Sequence, residues 1–447
     1  LAFYMGSFSL VGQYNIAFDI KNYESDTAIV GYYMMDKQLV LDTLINDSTD
    51  VFTLQGQDTL ESGVYLFLTQ PDNQYIQFMV NEREQSFSVT LDYKQKQDIR
   101  FENTEDNTLF QSYVDFLSKV RPEAKILKDT IAKCKEQNLE FVDFQKALDD
   151  IDKRVIEEQQ RIINTYPNTI SALMIKANIE INIPDFEGSE DPNHERYLYY
   201  KKHYFDNIDL KHPATLRTPF LYNRIDYYIN KLTPNHPDSI AQSLDFILSK
   251  LEDSGEAYNY YLSHYLNTYG KSKIVGYDAI YVHLVDNYYA QGKAPWVEED
   301  NLIKIIDNAN KIKPVLLGKT GADIMVYDEH ENPISISDID YEYLILLFWA
   351  PDCGHCKKSM PKFIEFNERW EDRGVKVFAI CTKHQDKVND CWEYVHEKNM
   401  HGFINAADKY HKSRFKVKYN VTSTPKIFIL DKEREILMKN VGAEQLD

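Results

Sequence analysis

Three kinds of hydrophobic pattern follow one another along the chain. From Gln13 to about Thr104 apolar positions alternate with polar ones. Tyr14, Ile16, Phe18 and Ile20 form one such row, Ile76, Phe78 and Val80 another, and Phe87, Val89, Leu91 and Tyr93 a third. A period of two predicts half-buried strands. Pro71-Asp72-Asn73 reads as a turn between strands over Val64–Leu68 and Tyr75–Val80. Short strands at close spacing predict an antiparallel sandwich-like domain.

Near Thr108 the period lengthens. Thr108-Leu109-Phe110-Gln111 has capping-box spacing, and Leu109, Tyr113, Phe116, Leu117 and Val120 then share one helical face. Leu148, Ile151 and Val155 do the same further on, and Pro122, Pro167, Pro184, Pro213 and Pro237 punctuate a series of helices. Gly188–Asn193 reads as an acidic surface loop. After Ile312-Lys313-Pro314 strands and helices alternate, which predicts an α/β sheet. A hairpin over Met325–Ile336 leads into Tyr343–Phe348, a continuous apolar run expected to be a buried central strand. Val375–Ile380, Ile404–Ala406, Ile427–Leu430 and Glu435–Met438 are the further strands; Lys357–Phe366, Asn389–Lys398 and Tyr410–Lys416 are the helices. The expected organisation is therefore residues 13–104 all-β, 105–314 all-α and 315–447 α/β.

Composition narrows the function classes. A chain of 447 residues is too long for one core. A net charge of −20 disfavours nucleic acid and acidic membrane surfaces as partners. Five cysteines do not make a disulfide scaffold. Residues 1–12, apolar with small residues toward their end, read as the remnant of a secretory signal peptide, without the cysteine a lipoprotein needs at Gln13. No other stretch approaches the length of a membrane span. His212, His236, His264 and His283 are scattered, and Cys134 reads as a packed or surface thiol.

Candidate chemistry concentrates in Trp349-Ala350-Pro351-Asp352-Cys353-Gly354-His355-Cys356. The two cysteines fall on a strand-to-helix turn, three residues apart, where β-carbons lie about 5–6 Å from each other. The first sulfur faces unpaired backbone N–H groups and the positive end of the helix dipole, which favour a thiolate. The expected roles are Cys353 as nucleophile and Cys356 as the resolving thiol. A structural zinc site would need a second cysteine pair, and Cys134, Cys381 and Cys391 supply none, so no metal is expected. Cys381 and Cys391 are read as two small buried residues in preference to a second redox pair. Pro361, five positions after Cys356, should kink the helix. Thr424-Pro425 precedes a strand, where a proline facing a dithiol is expected to be cis.

These motifs, with Gly318-Lys319-Thr320, Ile334–Ile339 and Ser423-Thr424-Pro425, resemble the TlpA/ResA-like branch of the thioredoxin family over a little under a third of the chain. The resemblance implies an exported thiol–disulfide oxidoreductase, reductase or isomerase in type. It would act in the periplasm or cell envelope on protein thiols and disulfides, with an upstream thiol reductant or oxidant. No cofactor is implied beyond the Cys353–Cys356 disulfide. Gly354 and His355 would tune the thiolate, with Asp352 working against them; Thr424 and Pro425 would present the substrate, and Trp349 and Pro361 would support the site. Gly354-His355 matches the dipeptide of protein disulfide isomerase, whereas thioredoxin has Gly-Pro, so a potential between about −180 and −270 mV is expected.

Two positions depart from the family: Leu347 stands where thioredoxin has a buried Asp, and Tyr327 falls where several relatives carry a Glu. A peroxidase would need Pro-x-x-x-Thr-x-x-Cys, which Pro351-Asp352-Cys353 does not supply. The family's last helix should begin near Ala443, so the sequence is read as cut short at both ends. The β-domain resembles the small β-domain often found upstream of such modules, and the helical stretch resembles an uncharacterised helical domain that accompanies them. The rival reading is a binding or assembly protein of the cell envelope in which the thioredoxin module is accessory.

Overall fold

The computed structural model describes residues 14–46, 51–71, 74–94 and 98–446. The signal-like opening and Asp72-Asn73 of the expected turn lie outside the described residues. By internal packing the chain divides into two compact units, Leu1–Thr233 with Phe246–Tyr258, and Pro234–Asp245 with Asn259–Asp447.

The first unit begins with eight strands: β1 (Tyr14–Lys21), β2 (Thr27–Met34), β3 (Lys37–Ile45), β4 (Val51–Gly56), β5 (Gly63–Thr69), β6 (Tyr75–Val80), β7 (Ser86–Asp92) and β8 (Arg100–Glu102). They form two four-stranded sheets, ordered β4-β1-β7-β8 and β3-β2-β5-β6. The alternating rows supply the core between them: Ile16, Phe18 and Ile20 from one sheet meet Val30, Phe67 and Phe78 from the other. Phe18 stacks on Phe67 with ring centroids 4.4 Å apart. All pairings are antiparallel except β1 with β7.

Helices α1 (Glu105–Glu136), α2 (Val142–Thr165), α3 (Ile170–Ala177), α4 (Pro192–His203), α5 (Leu221–Asn230), α6 (Pro237–Leu251), α7 (Glu256–Gly270), α8 (Asp278–Leu284) and α9 (Glu299–Ile312) come next. The predicted apolar face of α1 is the one that packs, with Leu109 and Tyr113 against Ile162, Ala172 and Ile175. Two local expectations are corrected. The first helix starts at Glu105, capped by Thr104, whose side chain accepts from the Asn107 N–H. Thr108, one turn in, instead donates its hydroxyl to the Thr104 carbonyl, 2.6 Å away. Pro122 lies inside α1 and does not end it.

Asp106, in the first turn of α1, joins that helix to α3. Its carboxylate is fully buried and accepts from the N–H groups of Ile170 and Ser171, both at 2.8 Å, so it caps α3. Residue separations of 64 and 65 put this cap beyond any local pattern. The same end of α3 packs on the sandwich, Ile170, Leu173 and Met174 meeting Val64 and Met79.

The second unit contains a seven-stranded sheet built from β9 (Met325–Tyr327), β10 (Pro333–Ser335), β11 (Tyr343–Trp349), β12 (Val375–Cys381), β13 (Ile404–Ala407), β14 (Lys426–Asp431) and β15 (Ile436–Lys439). Its order is β10-β9-β13-β12-β11-β14-β15, with β11, β12 and β13 parallel and β14 and β15 antiparallel. Helices α10 (Gly354–Trp370), α11 (Asn389–Glu397) and the single turn α12 (Phe415–Lys418) connect these strands. The predicted helix over 410–416 is thus only a turn, beginning later.

The continuous apolar run is central, as β11 is hydrogen-bonded on both sides and Leu344 to Trp349 are all buried. Its alternate residues face two cores: Ile345, Leu347 and Trp349 one, Leu344, Leu346 and Phe348 the other. The helical stretch reaches this module directly. Val275 packs on the first of those cores. Lys439 on β15 is 2% exposed at its side chain and pairs with Asp278 at the start of α8. It also donates to the Val315 carbonyl at 2.6 Å.

Candidate functional site

The site begins where β11 runs out. Trp349 is buried, its carbonyl accepts from the Thr382 N–H at 2.8 Å, and its ring lies 5.2 Å from that of Tyr394. These contacts tie the end of β11 to Thr382, just past β12, and to α11, so the next residues turn away from the sheet. Cys353 is the N-cap of α10 and its sulfur accepts from the Cys356 N–H at 3.3 Å. The local reason is the helix itself: its first N–H groups have no intrahelical acceptor, and the sulfur supplies one. Gly354 opens the helix with free space around it, since a Cβ there would meet nothing within 4 Å. Pro361 is exposed and lies inside α10, which continues to Trp370.

The second wall comes from the start of β14. The Thr424–Pro425 peptide bond is cis, and the Cys353 thiol donates to the Thr424 carbonyl at 3.2 Å. Thus the helix start and the Thr424-Pro425 step, distant in sequence, meet at one sulfur.

The two thiols differ sharply. Both are free, Cys353 half-buried and Cys356 buried. Burial acts to raise the Cys353 thiol, yet hydrogen bonds from Cys356, the Thr424 side chain and the N–H groups of Cys356 and His355 outweigh it and bring it below the ordinary thiol value. Burial, reinforced by the hydrogen bond with Cys353, pushes Cys356 up to about 12. The Ala350 backbone and the Thr424 side chain act on Cys356 in the opposite direction.

The His355 ring is exposed, and it is the backbone N–H of His355 that acts on Cys353. Asp352 is held by Lys383 at 2.5 Å, and that hydrogen bond pulls its carboxyl below the usual range, against a weaker effect of burial. Leu347 is fully buried in the core where the family's Asp would sit. Tyr327 is on β9, opposite Ala407, with its ring edge-on to Tyr410. It lines a separate cavity of about 340 Å³ with Glu329, Trp392 and His396.

Sequence reasoning missed four features. Cys381 and Cys391 are buried, as expected, but they are joined as a disulfide. The bond ties the end of β12, beside Trp349, to α11, which carries Tyr394. Ten residues separate the two, and the one usable signal was that one ends a strand and the other begins the next helix. Lys383 as the partner of Asp352 and Tyr394 as the partner of Trp349 carry no signal in the sequence. The fourth is a groove of about 520 Å³ beside the dithiol, between α10, the Thr424-Pro425 step and Asn440–Glu444.

A seven-stranded mixed sheet with two cysteines at a helix start and a cis-proline step against them is the arrangement of a thioredoxin-fold protein. Residues 317–438 match the family model described as AhpC/TSA family, and residues 153–313 match one described as a domain of unknown function, DUF5106. The C-terminal module is of the TlpA/ResA-like thioredoxin type. Among curated proteins the chain is similar to the thiol-disulfide oxidoreductase ResA of Bacillus cereus, 24% identical over 128 residues, covering 29% of this chain and 71% of the relative. Among solved structures it is similar to a domain of a possible thiol-disulfide isomerase from Cytophaga hutchinsonii, at 30% identity, covering 30% of this chain and 90% of the other, with a TM-score of 0.29. A thioredoxin-like protein from Bacteroides caccae is 16% identical and covers 60% of this chain and 96% of its own, with a TM-score of 0.45. Among the described residues no helix is long and apolar enough to cross a membrane.

Proposed function

We propose that the protein is an exported thiol–disulfide oxidoreductase that reduces or isomerises protein disulfides through the Cys353–Cys356 dithiol. The observation that carries this reading is the opposite displacement of the two thiols: Cys353 lowered and reachable, Cys356 buried and raised to about 12. In the reductive direction the Cys353 thiolate attacks one sulfur of a client disulfide. The other client sulfur leaves as a thiolate and takes up a proton, and a mixed disulfide joins client to Cys353. Cys356 then loses its proton and attacks the Cys353 sulfur; the client's second thiol departs, and the Cys353–Cys356 disulfide forms. Two electrons pass to the client, and an upstream thiol reductant returns them.

The geometry accounts for the order of events. The Cys353 thiol is one of the groups that hold the Cys356 proton in place. Once Cys353 is tied up in a mixed disulfide it no longer carries a charge or a proton to share, so the Cys356 thiol becomes easier to ionise at the moment it is needed. The disulfide between Cys381 and Cys391 supports an oxidising compartment, where such bonds persist. The decisive experiment is turnover of a generic protein disulfide by the purified chain with a thiol reductant. Turnover abolished by Cys353→Ser supports the reading. Absence of turnover in the unaltered chain leaves the accessory-module reading, a binding or assembly protein.

A further inference from the structure

The groove beside the dithiol has a composition at odds with the rest of the molecule. The chain carries a net charge of −20. Yet the groove is lined by Lys358 and Lys362 from α10 and by Lys426 at the start of β14, together with His355. Glu444, a carboxylate among its lining residues, stands 3.9 Å from Lys362 and offsets one of the three lysine charges, which leaves the lining net positive. Asp352, the carboxylate next to Cys353, is already held by Lys383. A positive groove therefore adjoins the half-buried sulfur of Cys353 in an acidic protein.

Lys426 sharpens the point. It follows Pro425 directly and is half-buried, its ammonium 5.6 Å from the centre of the Phe428 ring. Among the described residues its ammonium makes no hydrogen bond or ion pair. Asp278, the carboxylate that acts on it, is committed to Lys439. Burial first, and then the neighbouring Lys439, pull its amine below the usual range. Withdrawing a cation from water without a partner is unfavourable. An anion arriving in the groove would supply the missing partner at the place where substrate backbone would lie.

From this we infer that the groove selects clients whose reactive cysteine is flanked by aspartate or glutamate, the carboxylates being read by Lys426, Lys358 and Lys362. The inference rests on the oxidoreductase reading and adds the substrate class to it. The occupant is an extended protein segment: the groove runs from the first turns of α10 along the start of β14 to the Asn440–Glu444 loop, longer than a single carboxylate requires. Lysines at its edge attract such a segment before contact, and this acts on the rate of encounter.

The test uses the full chain in its reduced state and three synthetic peptide dimers, each joined by one cysteine disulfide. They differ only in carrying Glu, Gln or Lys at the positions beside the cysteine. The second-order rate of exchange should be about tenfold higher for the Glu peptide than for the Gln peptide at low salt, and lowest for the Lys peptide. The Glu-to-Gln ratio should shrink as salt rises. It should fall in Lys426→Gln and further in Lys358→Gln/Lys362→Gln/Lys426→Gln, while Lys426→Arg keeps it. Because each ratio is taken within one variant, a partly unfolded preparation does not mimic the effect. Equal rates for the Glu and Gln peptides, with exchange proceeding, overturn the inference and leave the oxidoreductase reading standing. A Glu preference untouched by the lysine variants overturns its assignment to this groove. Lysine-dependent rates with glutathione disulfide but not with the peptides would make the occupant a small anionic thiol, which also overturns it. Failure to exchange with any disulfide removes the oxidoreductase reading itself, and the inference with it.

Discussion

The Cys353 sulfur lies 3.2 Å from the carbonyl oxygen of Thr424, across 71 residues of sequence. One sulfur is thereby shared between a helix start and a strand entry. Donors from the helix stabilise its thiolate, and the strand entry places backbone beside it.

Exchange should depend on the two cysteines in different ways. Cys353→Ser removes the reachable sulfur and should abolish turnover. Cys356→Ser removes the resolving step and should accumulate mixed disulfides with clients, visible as mass-shifted species that disappear on reduction. Equal trapping by both variants would reverse or dissolve the assignment.

The pH dependence of alkylation follows from the direction of each shift. A lowered thiol is already a thiolate where an ordinary thiol is still protonated, so the Cys353 profile should rise at a pH below the ordinary value of about 8.5. Cys356, pushed up to about 12, should stay unreactive through neutral pH. Mass-resolved iodoacetamide labelling of each cysteine across pH checks both. A Cys353 midpoint at or above the ordinary value contradicts the donor geometry.

His355 bears on Cys353 through its backbone N–H, while its ring is exposed. His355→Pro deletes that N–H and should raise the Cys353 thiol. Less stabilisation of the reduced form moves the potential in the negative direction. His355→Ala keeps the N–H and should change the potential much less. Glutathione-buffer titration of both variants separates the two contributions, and equal shifts would return the effect to the imidazole.

Lys439 and Asp278 form a pair that is nearly excluded from water on the lysine side. Removing one partner strands the other, at a cost of about 3–5 kcal/mol. Lys439→Met should therefore lower the urea midpoint markedly, and Lys439→Met/Asp278→Leu should recover much of the loss. A negligible effect of the single change would mean that the helix is held to the sheet edge by apolar contacts alone.

The Cys381–Cys391 bond is buried behind Trp349. Cys381→Ala/Cys391→Ala should reduce stability by about 2–4 kcal/mol, read by urea denaturation under non-reducing conditions. Unchanged stability would show that the link between β12 and α11 is not needed to hold the site.

How much of the molecule was legible from the chain alone depended on the range of the physics involved. Periodicity is local: alternation in Phe87, Val89 and Leu91, the apolar run of β11 and the helical spacing of Leu109 and Tyr113 each arise from a few consecutive side chains choosing one face. The helix-start position of Cys353 is local too, because strand, turn and helix are consecutive. The fold class of all three stretches could be read in the same way.

Other features exist only because separate segments meet. The first helix begins at Glu105 with Thr104 as its cap and Glu84, from another segment, accepting from the N–H groups of Glu105 and Asp106, while Asp106 itself accepts from the start of α3, 64 residues on. Cys381 and Cys391 looked like ordinary core residues until the end of β12 and the start of α11 were brought within bonding reach. Asp352 looked like an opponent of the thiolate until Lys383 neutralised it. The positive groove forms because three lysines from α10 and β14 face one space. Charges and sulfurs act through space over a few ångströms, and which of them come that close is set by the sheet order, not by spacing along the chain.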